Sequence, residues 1–348
     1  MTVKEVTVME TRLLTKNDTD EAGRILRNGG LVGIPTETVY GLAANALDGA
    51  AVSKIFKAKG RPQDNPLIVH IADMKELENL AKNIPSAAYD LAKAFWPGPL
   101  TMILEKSECI PDAVSAGLDT VAIRMPAHPV ARSIIRTAGV PLAAPSANLS
   151  GSPSPTTAEH VMCDLSGKID AVVDGGPCEV GVESTVITLC TPRPRILRPG
   201  RVTPEELETV LGEVDMDNAV LGKLSSGEKA ASPGMKYKHY SPKANVIIVK
   251  ADRESFVSFV NENMDVSVAA LAFDGEEKAI RCRTISLGKE NDGLAHAHNL
   301  FAALRECDNL GMKTVYVHCP SSIGVDLAVM NRLLRAAEYK VMDVGEQL

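Results

Sequence analysis

Apolar and polar positions change period repeatedly through the first two hundred residues of the chain. Residues 19–28 have helical spacing and end at Gly29-Gly30, while residues 49–59 lie between Asp48, a typical N-cap, and Gly60, a typical helix stop. Short apolar runs between such segments predict strands. These runs cover 31–34, 67–71, 100–104, 121–124, 140–143, 171–173 and 184–189. Strands interspersed with helices predict one α/β domain built on a mostly buried, mixed sheet.

The pattern changes after residue 201. A short helix is predicted over 204–211, and residues 212–235 are rich in Gly, Ser, Lys and Asp without a sustained period. A second α/β unit follows, with elements predicted over 245–250, 252–263, 266–273, 293–307, 313–319 and 325–338. This order is typical of a small doubly wound module with parallel strands. We therefore divide the chain into a first domain, a linker and a smaller second domain, over 1–205, 206–243 and 244–348.

Length and composition narrow the class of protein. At 348 residues the chain exceeds the size of one typical core, which favours two domains. The net charge of −7 and the 4% of aromatic residues argue against a dedicated RNA-binding protein. A local basic groove could still occur in a protein with this charge and composition. The seven cysteines are dispersed without a Cys-x-x-Cys pair, which predicts reduced thiols in a cytoplasmic protein. We expect no structural metal site, signal peptide or membrane span.

Two short polar motifs are candidates for binding phosphate. Lys59 and Arg61 flank a glycine after a predicted helix, so both cations can leave one loop together. The same pair also suits a solvated basic helix end. Ser146-Ala-Asn148 leads out of a predicted strand and offers hydroxyl and amide groups, but such a tripeptide is also a common turn.

Two side chains inside apolar strands need partners if they are buried. Arg124 ends one strand and then requires an anion, either a protein carboxylate or a ligand. His70 lies inside another strand and is either a satisfied core residue or part of a site. Thr36 and Thr38 directly follow a strand, where their hydroxyls can contact a ligand or cap a turn.

The order and combination of the short motifs resemble the YrdC/Sua5 family. The motifs that carry this resemblance are Pro35-Thr-Glu-Thr-Val-Tyr-Gly-Leu42, Lys59-Gly-Arg-Pro62, Asn65-Pro66-Leu67, Trp96-Pro-Gly-Pro-Leu-Thr101, Ala122-Ile-Arg-Met-Pro126, Ala144-Pro-Ser-Ala-Asn148, Glu183-Ser-Thr185 and Arg198-Pro-Gly200. They span residues 20–201, and residues 244–348 resemble the extra C-terminal domain of the longer, Sua5-type members. The resemblance implies a YrdC-like catalytic domain with a mixed twisted sheet and a smaller Rossmann-like α/β domain.

The resemblance also implies an activity. Such proteins are threonylcarbamoyl-AMP synthases, nucleotidyltransferases that form threonylcarbamoyl-adenylate and pyrophosphate from L-threonine, bicarbonate and ATP. Mg²⁺ is implied with the nucleotide. The product is implied to pass to a tRNA threonylcarbamoyl transferase complex for the t6A37 modification of tRNA. The resemblance implies no membrane partner, and weak RNA binding stays open.

The resemblance assigns site residues in three groups. Lys59, Arg61 and His70 are expected to be catalytic, with His70 a candidate base toward the threonine amine. The L-threonine pocket is expected to contain Thr38, His70, Arg124, Ala144 and Ser184. The ATP site is expected to contain Arg61, Asn65, Thr120, Ser146, Asn148, Ser154, Arg198 and Tyr237. No metal bound by protein side chains is expected.

Tyr237 differs from the other members because it lies in the linker. The proline-bounded, aromatic segment 232–242 is predicted to fold over the pocket as a lid that excludes water from the labile carbamate and adenylate. We expect the C-terminal domain to anchor this lid and not to supply catalytic groups.

Two other functions are less compatible with the sequence. Carbamoyl-adenylate chemistry, as in hydrogenase-maturation proteins with a similar domain, is accompanied there by an acylphosphatase segment and Cys-x-x-Cys zinc motifs, which this sequence lacks. An RNA-binding or ribosome-maturation factor is the alternative from another class. Its RNA affinity would fall steeply with salt and would not depend on threonine, whereas a synthase must require threonine.

Overall fold

A computed structural model of the chain describes residues 10–222 and 240–345. The predicted ATP ligand Tyr237 and most of the predicted lid lie outside these residues. The described residues form two units, each built on its own β-sheet. We call residues 10–222 the N-terminal unit and residues 244–345 the C-terminal unit.

The N-terminal unit contains a sheet of twelve strands in the described part of the chain. The strands are β1 (Arg12–Thr15), β2 (Val32–Ile34), β3 (Gly41–Asn45), β4 (Ile68–His70), β5 (Ala81–Lys82), β6 (Leu100–Lys106), β7 (Thr120–Arg124), β8 (Leu142–Ala143), β9 (Ala171–Asp174), β10 (Thr185–Thr188), β11 (Arg195–Arg198) and β12 (Asp215–Met216). Their order is β1-β9-β2-β3-β8-β4-β7-β6-β10-β11-β12, with β5 paired to β6. The sheet contains both parallel pairs, such as β4–β7, and antiparallel pairs, such as β6–β7, which confirms the predicted mixed sheet.

Helices cover the large sheet. They are α1 (Thr19–Arg27), α2 (Gly49–Lys59), α3 (Lys75–Leu80), α4 (Ser86–Phe95), α5 (Asp112–Ser115), α6 (Pro129–Ala138), α7 (Ala158–Leu165) and α8 (Pro204–Leu211). The predicted ends of α2 are confirmed, because the Asp48 carboxylate accepts from two backbone N–H groups and Gly60 adopts a φ of +63°. Neighbouring residues of β9 point to opposite faces, so Val172 packs in one apolar cluster with α2 and α4, and Val173 packs in another with α1 and α6.

The C-terminal unit is a parallel sheet with crossover helices, as predicted. Its strands are β13 (Asn245–Lys250), β14 (Val268–Ala272), β15 (Arg283–Ser286), β16 (Thr314–His318) and β17 (Val341–Asp343), in the order β15-β14-β16-β13-β17. Its helices are α9 (Arg253–Glu262), α10 (Gly293–Asn309) and α11 (Asp326–Ala336). All of the paired strands run parallel among the described residues. Leu300 and Leu304 of α10 and Leu333 of α11 pack into its main apolar cluster.

The two units are joined by buried polar contacts as well as by apolar ones. Arg305 of α10 forms a bidentate ion pair with Asp164 of α7, with N–O distances of 2.8 and 3.1 Å. The same guanidinium donates to the Pro153 carbonyl at 2.6 Å. A second arginine, Arg332 of α11, also reaches the N-terminal unit. Within the described ranges, no helix is long and apolar enough to cross a membrane.

Candidate active site

A cavity opens where several strands and loops of the N-terminal unit meet. It encloses about 640 Å³ of space, part of it open to solvent, which is within the size range of small-molecule sites. Its lining residues are Thr36, Thr38, Val39, Gly41, Arg61, Ile68, His70, Arg124, Ala144, Pro145, Ser146, Asn148, Glu183, Ser184, Arg198 and Tyr240. Nine of the residues predicted for the site therefore lie around one cavity: Thr38, Arg61, His70, Arg124, Ala144, Ser146, Asn148, Ser184 and Arg198.

Arg124 is the buried cation at one side of this cavity. It ends β7, and its guanidinium donates to the Thr38 hydroxyl at 2.9 Å and to the Gly98 carbonyl at 3.3 Å. Its Nη2 also lies 2.7 Å from a carboxylate oxygen of Glu37, although the angle is not that of a hydrogen bond. Burial, the largest influence, would raise the pKa of Glu37, but the charge and close contact of Arg124 and hydrogen bonds from the backbone together lower that pKa. The anionic partner that the sequence requires for Arg124 is thus a protein carboxylate, and the guanidinium still faces the cavity.

His70 lies next to Arg124 because β4 and β7 are parallel and these two residues are register partners. Its Nδ1 lies 3.2 Å from the Ile68 carbonyl, which favours a proton on that nitrogen. Burial and the neighbouring Arg124 charge lower the pKa of His70 to about 3. The imidazole is therefore neutral at physiological pH.

Ser184 and Arg198 meet on the other side of the cavity. Ser184 precedes β10 and Arg198 ends β11, which runs antiparallel to β10. The Arg198 guanidinium donates to the Ser184 carbonyl at 3.1 Å and to its hydroxyl at 3.2 Å. Gly200 permits this approach, because a Cβ there would lie 2.3 Å from the Thr185 nitrogen. Burial lowers the pKa of Arg198 to about 10, so the side chain stays charged at neutral pH.

The predicted phosphate motifs contact each other. Lys59 is the last residue of α2, and its ammonium donates to the backbone carbonyls of Ser146 and Asn148 at 2.5 and 2.6 Å. The Ser146 hydroxyl in turn donates to the Asn148 amide oxygen at 2.5 Å. Burial and the nearby Arg61 charge lower the pKa of Lys59, while three oxygen acceptors favour its ammonium form. Lys59 thus fixes the Ser146–Asn148 loop through its carbonyl groups, and it does not line the cavity.

Three further predicted residues that the structure describes do not line the cavity. Asn65 is one of them and is completely buried. Ser154 is buried behind the wall, where its hydroxyl donates to the Glu183 carboxylate. Thr120 begins β7 whereas Arg124 ends it, so the two lie about 13 Å apart along the strand. Tyr237 lies outside the described residues.

Seven of the sixteen lining residues were not among the predicted ligands, and two of the seven, Glu183 and Tyr240, matter most for the chemistry of the site. Glu183 belongs to the quoted Glu183-Ser-Thr185 motif, so the sequence signal was present, but the motif alone does not separate Glu183 from Ser184. Tyr240 lies at the end of the predicted lid and lines the cavity. Its ring packs 5.3 Å from Phe301 of the C-terminal unit, measured between centroids, so a residue of the linker contacts both units.

Comparisons with known proteins find relatives that match both units of the chain. A family profile described as "Telomere recombination" (Sua5_yciO_yrdC) matches residues 24–200, and one described as the C-terminal domain of threonylcarbamoyl-AMP synthase matches residues 202–338. The threonylcarbamoyl-AMP synthase of Pyrococcus abyssi is 48% identical over 93% of this chain and 95% of its own length. That of Bacillus subtilis is 46% identical over 98% and 100%.

A comparison of the fold with solved structures finds the same relatives. The crystal structure of P. abyssi Sua5 complexed with L-threonine has a TM-score of 0.88 and 45% identity, covering 96% of this chain and 100% of that one. Both family profiles and both full-length relatives match the two units described above. The chain therefore belongs to the YrdC/Sua5 family, in its two-domain, Sua5-type form.

Proposed function

We propose that this protein is an L-threonylcarbamoyladenylate synthase. It joins L-threonine, bicarbonate and ATP into threonylcarbamoyl-AMP and pyrophosphate, and the product serves the t6A37 modification of tRNA. The observation that carries this assignment is the buried guanidinium of Arg124, which faces the cavity beside Thr38 and a neutral His70. Relatives that match nearly the whole chain bear the name of this enzyme, and one of them was crystallised with L-threonine.

The threonine site is proposed to use Arg124 for the substrate carboxylate. An arginine suits this role because its planar fork matches two carboxylate oxygens. Thr38, already 2.9 Å from Arg124, and Ser184 would supply hydroxyl groups, and Ala144 would contribute its backbone. The contact with Glu37 keeps the guanidinium in place before threonine arrives.

His70 is proposed to act as a neutral hydrogen-bond partner for threonine. A pKa of about 3 makes it a weak acceptor for the proton of an ammonium group. Condensation of threonine with bicarbonate forms an N–C bond and releases water, and the ammonium proton leaves to solvent. One carbamate oxygen then attacks the α-phosphorus of ATP, and the bond from that phosphorus to pyrophosphate breaks. The protein contributes mainly position and positive charge.

The ATP site is proposed around the basic side of the cavity. Arg61, Ser146, Asn148 and Arg198 line it and can contact the nucleotide directly. Lys59 would position the Ser146–Asn148 loop. Asn65, Thr120, Ser154 and Tyr237 remain proposed ATP ligands on the resemblance alone. We also propose the nucleotidyltransferase class, because the α-phosphoryl group is transferred as AMP.

Mg²⁺ is proposed to enter with ATP. Both carboxylates beside the cavity are engaged with arginines, Glu37 with Arg124 at 2.7 Å and Glu183 with Arg332 at 2.9 Å. No group of three or more potential metal ligands among His, Cys, Asp and Glu occurs in the described ranges. This donor set fits an ion held mainly by phosphate oxygens and water, with Ser146 and Asn148 as neutral neighbours. Mg²⁺ would neutralise charge on the departing pyrophosphate.

The remaining predictions extend the same assignment. We propose that a tRNA threonylcarbamoyl transferase complex consumes the product, because a mixed carbamic–phosphoric anhydride hydrolyses readily in water. The division into catalytic domain, lid-bearing linker and C-terminal domain stays a proposal, as does the cytoplasmic location. The seven free cysteines support that location.

Pyrophosphate release tests the assignment. The wild type should release pyrophosphate from ATP, Mg²⁺ and bicarbonate only when L-threonine is present. Arg124→Ala should lower kcat/KM for threonine by about 100-fold, equivalent to about 3 kcal/mol, because it removes a buried charged contact to the substrate. Arg136→Ala, an exposed arginine of α6, is the matched control and should keep wild-type activity. Threonine-independent release by the folded wild type, or salt-sensitive RNA binding without synthesis, would contradict the assignment.

A further inference from the structure

The C-terminal unit contributes one completely buried charge to the wall of the cavity. Arg332 lies on α11 and has no solvent-exposed surface. Its Nε donates to the Glu183 carboxylate at 2.9 Å, and its Nη2 donates to the Glu183 carbonyl at 3.2 Å. Its Nη1 donates to the Pro199 carbonyl at 2.6 Å. All three acceptors belong to the N-terminal unit, so this arginine makes a specific polar connection between the units.

The acceptors of Arg332 are adjacent to proposed substrate ligands. Glu183 precedes Ser184, and Pro199 follows Arg198. Ser184 and Arg198 are hydrogen-bonded to each other and both line the cavity. One guanidinium therefore connects the two short segments that present these residues. An arginine suits this task because its fork can hold several acceptors in a fixed geometry.

The charge state of Glu183 in this wall of the cavity also depends on its contact with Arg332. Burial, the largest influence, would raise the pKa of Glu183, but the charges of Arg332 and Arg198 and the hydrogen bonds from Ser154 and Arg332 together lower that pKa. The other Glu183 oxygen accepts from the Ser154 hydroxyl. Without Arg332, the nearby cation left for the Glu183 carboxylate would be Arg198. Arg198 could then donate to Glu183 in place of Ser184.

The segment 179–184 is supported by the C-terminal unit along its length. Gly181, with a φ of +84°, approaches α10 so closely that a Cβ there would lie 2.4 Å from the Ala297 carbonyl oxygen. A ring nitrogen of His298 lies 3.0 Å from the Glu179 carbonyl. On the other side of the segment, the backbone N–H of Val180 donates to the Glu37 carbonyl at 2.7 Å. The backbone N–H of Gly181 donates to the Thr38 carbonyl at 3.1 Å. It therefore lies between α10 and the segment that carries Thr38.

Tyr240 is held by the same arginine. The guanidinium carbon of Arg332 lies 5.8 Å from the centroid of the Tyr240 ring, within the range of a cation–π contact. Because Tyr240 lines the cavity, Arg332 supports three parts of its wall: the segment before Ser184, the segment after Arg198, and the end of the linker.

We propose that Arg332 is a positioning residue for the synthase reaction, which sets the places of Ser184 and Arg198 without touching substrate. The C-terminal unit then completes the active site and does more than anchor the linker. This inference rests on the proposed function, because Ser184 and Arg198 matter only if they bind threonine and ATP. A displacement of about 1 Å in such groups can cost about 100-fold in rate.

Three full-length variants test the proposal. Arg332→Met removes the donors but keeps a long side chain. Arg305→Met is the matched control, since Arg305 also forms a buried ion pair between the units, but its acceptors Asp164 and Pro153 are adjacent in sequence to neither Ser184 nor Arg198. Threonine-dependent pyrophosphate release gives kcat and KM for both substrates. Arg332→Met should lower kcat/KM for threonine at least about tenfold, while Arg305→Met should stay within about twofold of the wild type in that quantity despite a similar loss of thermal stability. The control is limited to threonine, because Pro153 directly precedes the proposed ATP ligand Ser154. Arg332→Lys should recover only part of the loss.

A second measurement separates position from folding. Hydrogen exchange of residues 182–186 should accelerate in Arg332→Met and not in Arg305→Met. If Arg332→Met fails to fold, the double variant Glu183→Gln/Arg332→Met leaves no unpaired charge and takes its place. Wild-type kinetics in either Arg332 variant, or an equal loss in Arg305→Met, would overturn the proposal. An inactive wild type would instead reject the proposed function, and the exchange rates would then decide whether Arg332 fixes the segment.

Discussion

The two units differ in whether certain buried polar side chains have hydrogen-bond partners. In the C-terminal unit, His318 lies 2.8 Å from Glu276 and 3.1 Å from the Ala251 carbonyl, one contact for each ring nitrogen. His296 is paired in the same way with Asp326 and the Lys289 carbonyl. In the N-terminal unit, both amide atoms of Asn65 and the Nη2 of Arg124 have no aligned hydrogen-bond partner within the part of the chain that the structure describes.

This difference separates groups that stabilise the fold from groups kept for substrates. A buried polar atom without a partner costs free energy, so a fold retains it only where something else is gained. In the C-terminal unit the His318–Glu276 and His296–Asp326 pairs satisfy their own polar groups. In the N-terminal unit Arg124 forms an ion pair with Glu37 that lacks an aligned hydrogen bond, and it faces the cavity, where a ligand can accept that hydrogen bond. Removing a member of a histidine–carboxylate pair in the C-terminal unit should therefore affect stability, and removing a group that faces the cavity in the N-terminal unit should affect activity. Arg332 belongs to neither set, because its acceptors Glu183 and Pro199 lie in the N-terminal unit.

The largest effect on stability is expected from Glu276→Ala in the C-terminal unit. Glu276 is 1% exposed, and its carboxylate accepts from His318 and from the Phe273 backbone at 2.9 Å. Its loss leaves two buried donors without acceptors, so the free energy of unfolding should fall by about 3 kcal/mol. Urea unfolding measures this change. Threonine-dependent turnover of the folded protein should stay within about twofold of the wild type.

The neighbouring Lys278 provides the control for Glu276. It is exposed and lies on the same short 3₁₀ turn. Lys278→Ala should change the free energy of unfolding by less than about 0.5 kcal/mol. If Glu276→Ala were to lower turnover while leaving stability intact, the C-terminal polar groups would be functional and the comparison between the units would fail.

A pH experiment on His70 probes the N-terminal unit. Its pKa is about 3 in the folded protein, below the value near 6.5 expected for the unfolded chain. The unfolded chain therefore takes up a proton below pH 6.5 that the folded protein does not, and stability falls as the pH decreases. At pH 5 this amounts to about 2 kcal/mol. His70→Gln should lose that dependence, measured as the difference in unfolding free energy between pH 7 and pH 5.

Other titratable groups do not change this comparison of unfolding free energies between pH 7 and pH 5. Glu37 and Glu183 have lowered pKa values, so their contribution to stability is present above about pH 4.5 and is lost only below it. The shifts of His128 and His160 are common to both proteins and cancel in the comparison. An unchanged pH dependence in His70→Gln would mean that His70 is accessible to protons in the folded state.

Local signals explain which parts of the fold the sequence could predict. Asp48 and Gly60 fix the ends of α2 by their own geometry, and the strand predicted over 245–250 is confirmed as β13. β3 was not predicted, because Gly-Leu-Ala-Ala-Asn lacks the β-branched and aromatic residues typical of strands. It forms because β2 and β8 pair with its two sides. Such pairing depends on tertiary structure.

The site shows the same limit. Motif order located the residues around the cavity, but it did not show that Lys59 points into the Ser146–Asn148 loop. That contact depends on how the end of α2 meets a loop nearly ninety residues away. Arg332 gave no signal, because an arginine in an amphipathic helix usually faces solvent. Here it has no exposed surface, since the N-terminal unit covers it.

The smallest effect on stability is expected from Asn65→Leu, and it tests the comparison most directly. The Asn65 side chain is fully buried and its amide has no partner among the described residues, so leucine of similar size removes an unsatisfied group without leaving a cavity. The free energy of unfolding should stay the same or rise by about 1 kcal/mol, while KM for ATP should increase at least about tenfold if Asn65 binds the nucleotide. Asn17→Leu, on the exposed surface, should change neither quantity. A loss of more than about 2 kcal/mol in Asn65→Leu would show that the amide stabilises the fold, and Asn65 would then resemble the satisfied polar groups of the C-terminal unit.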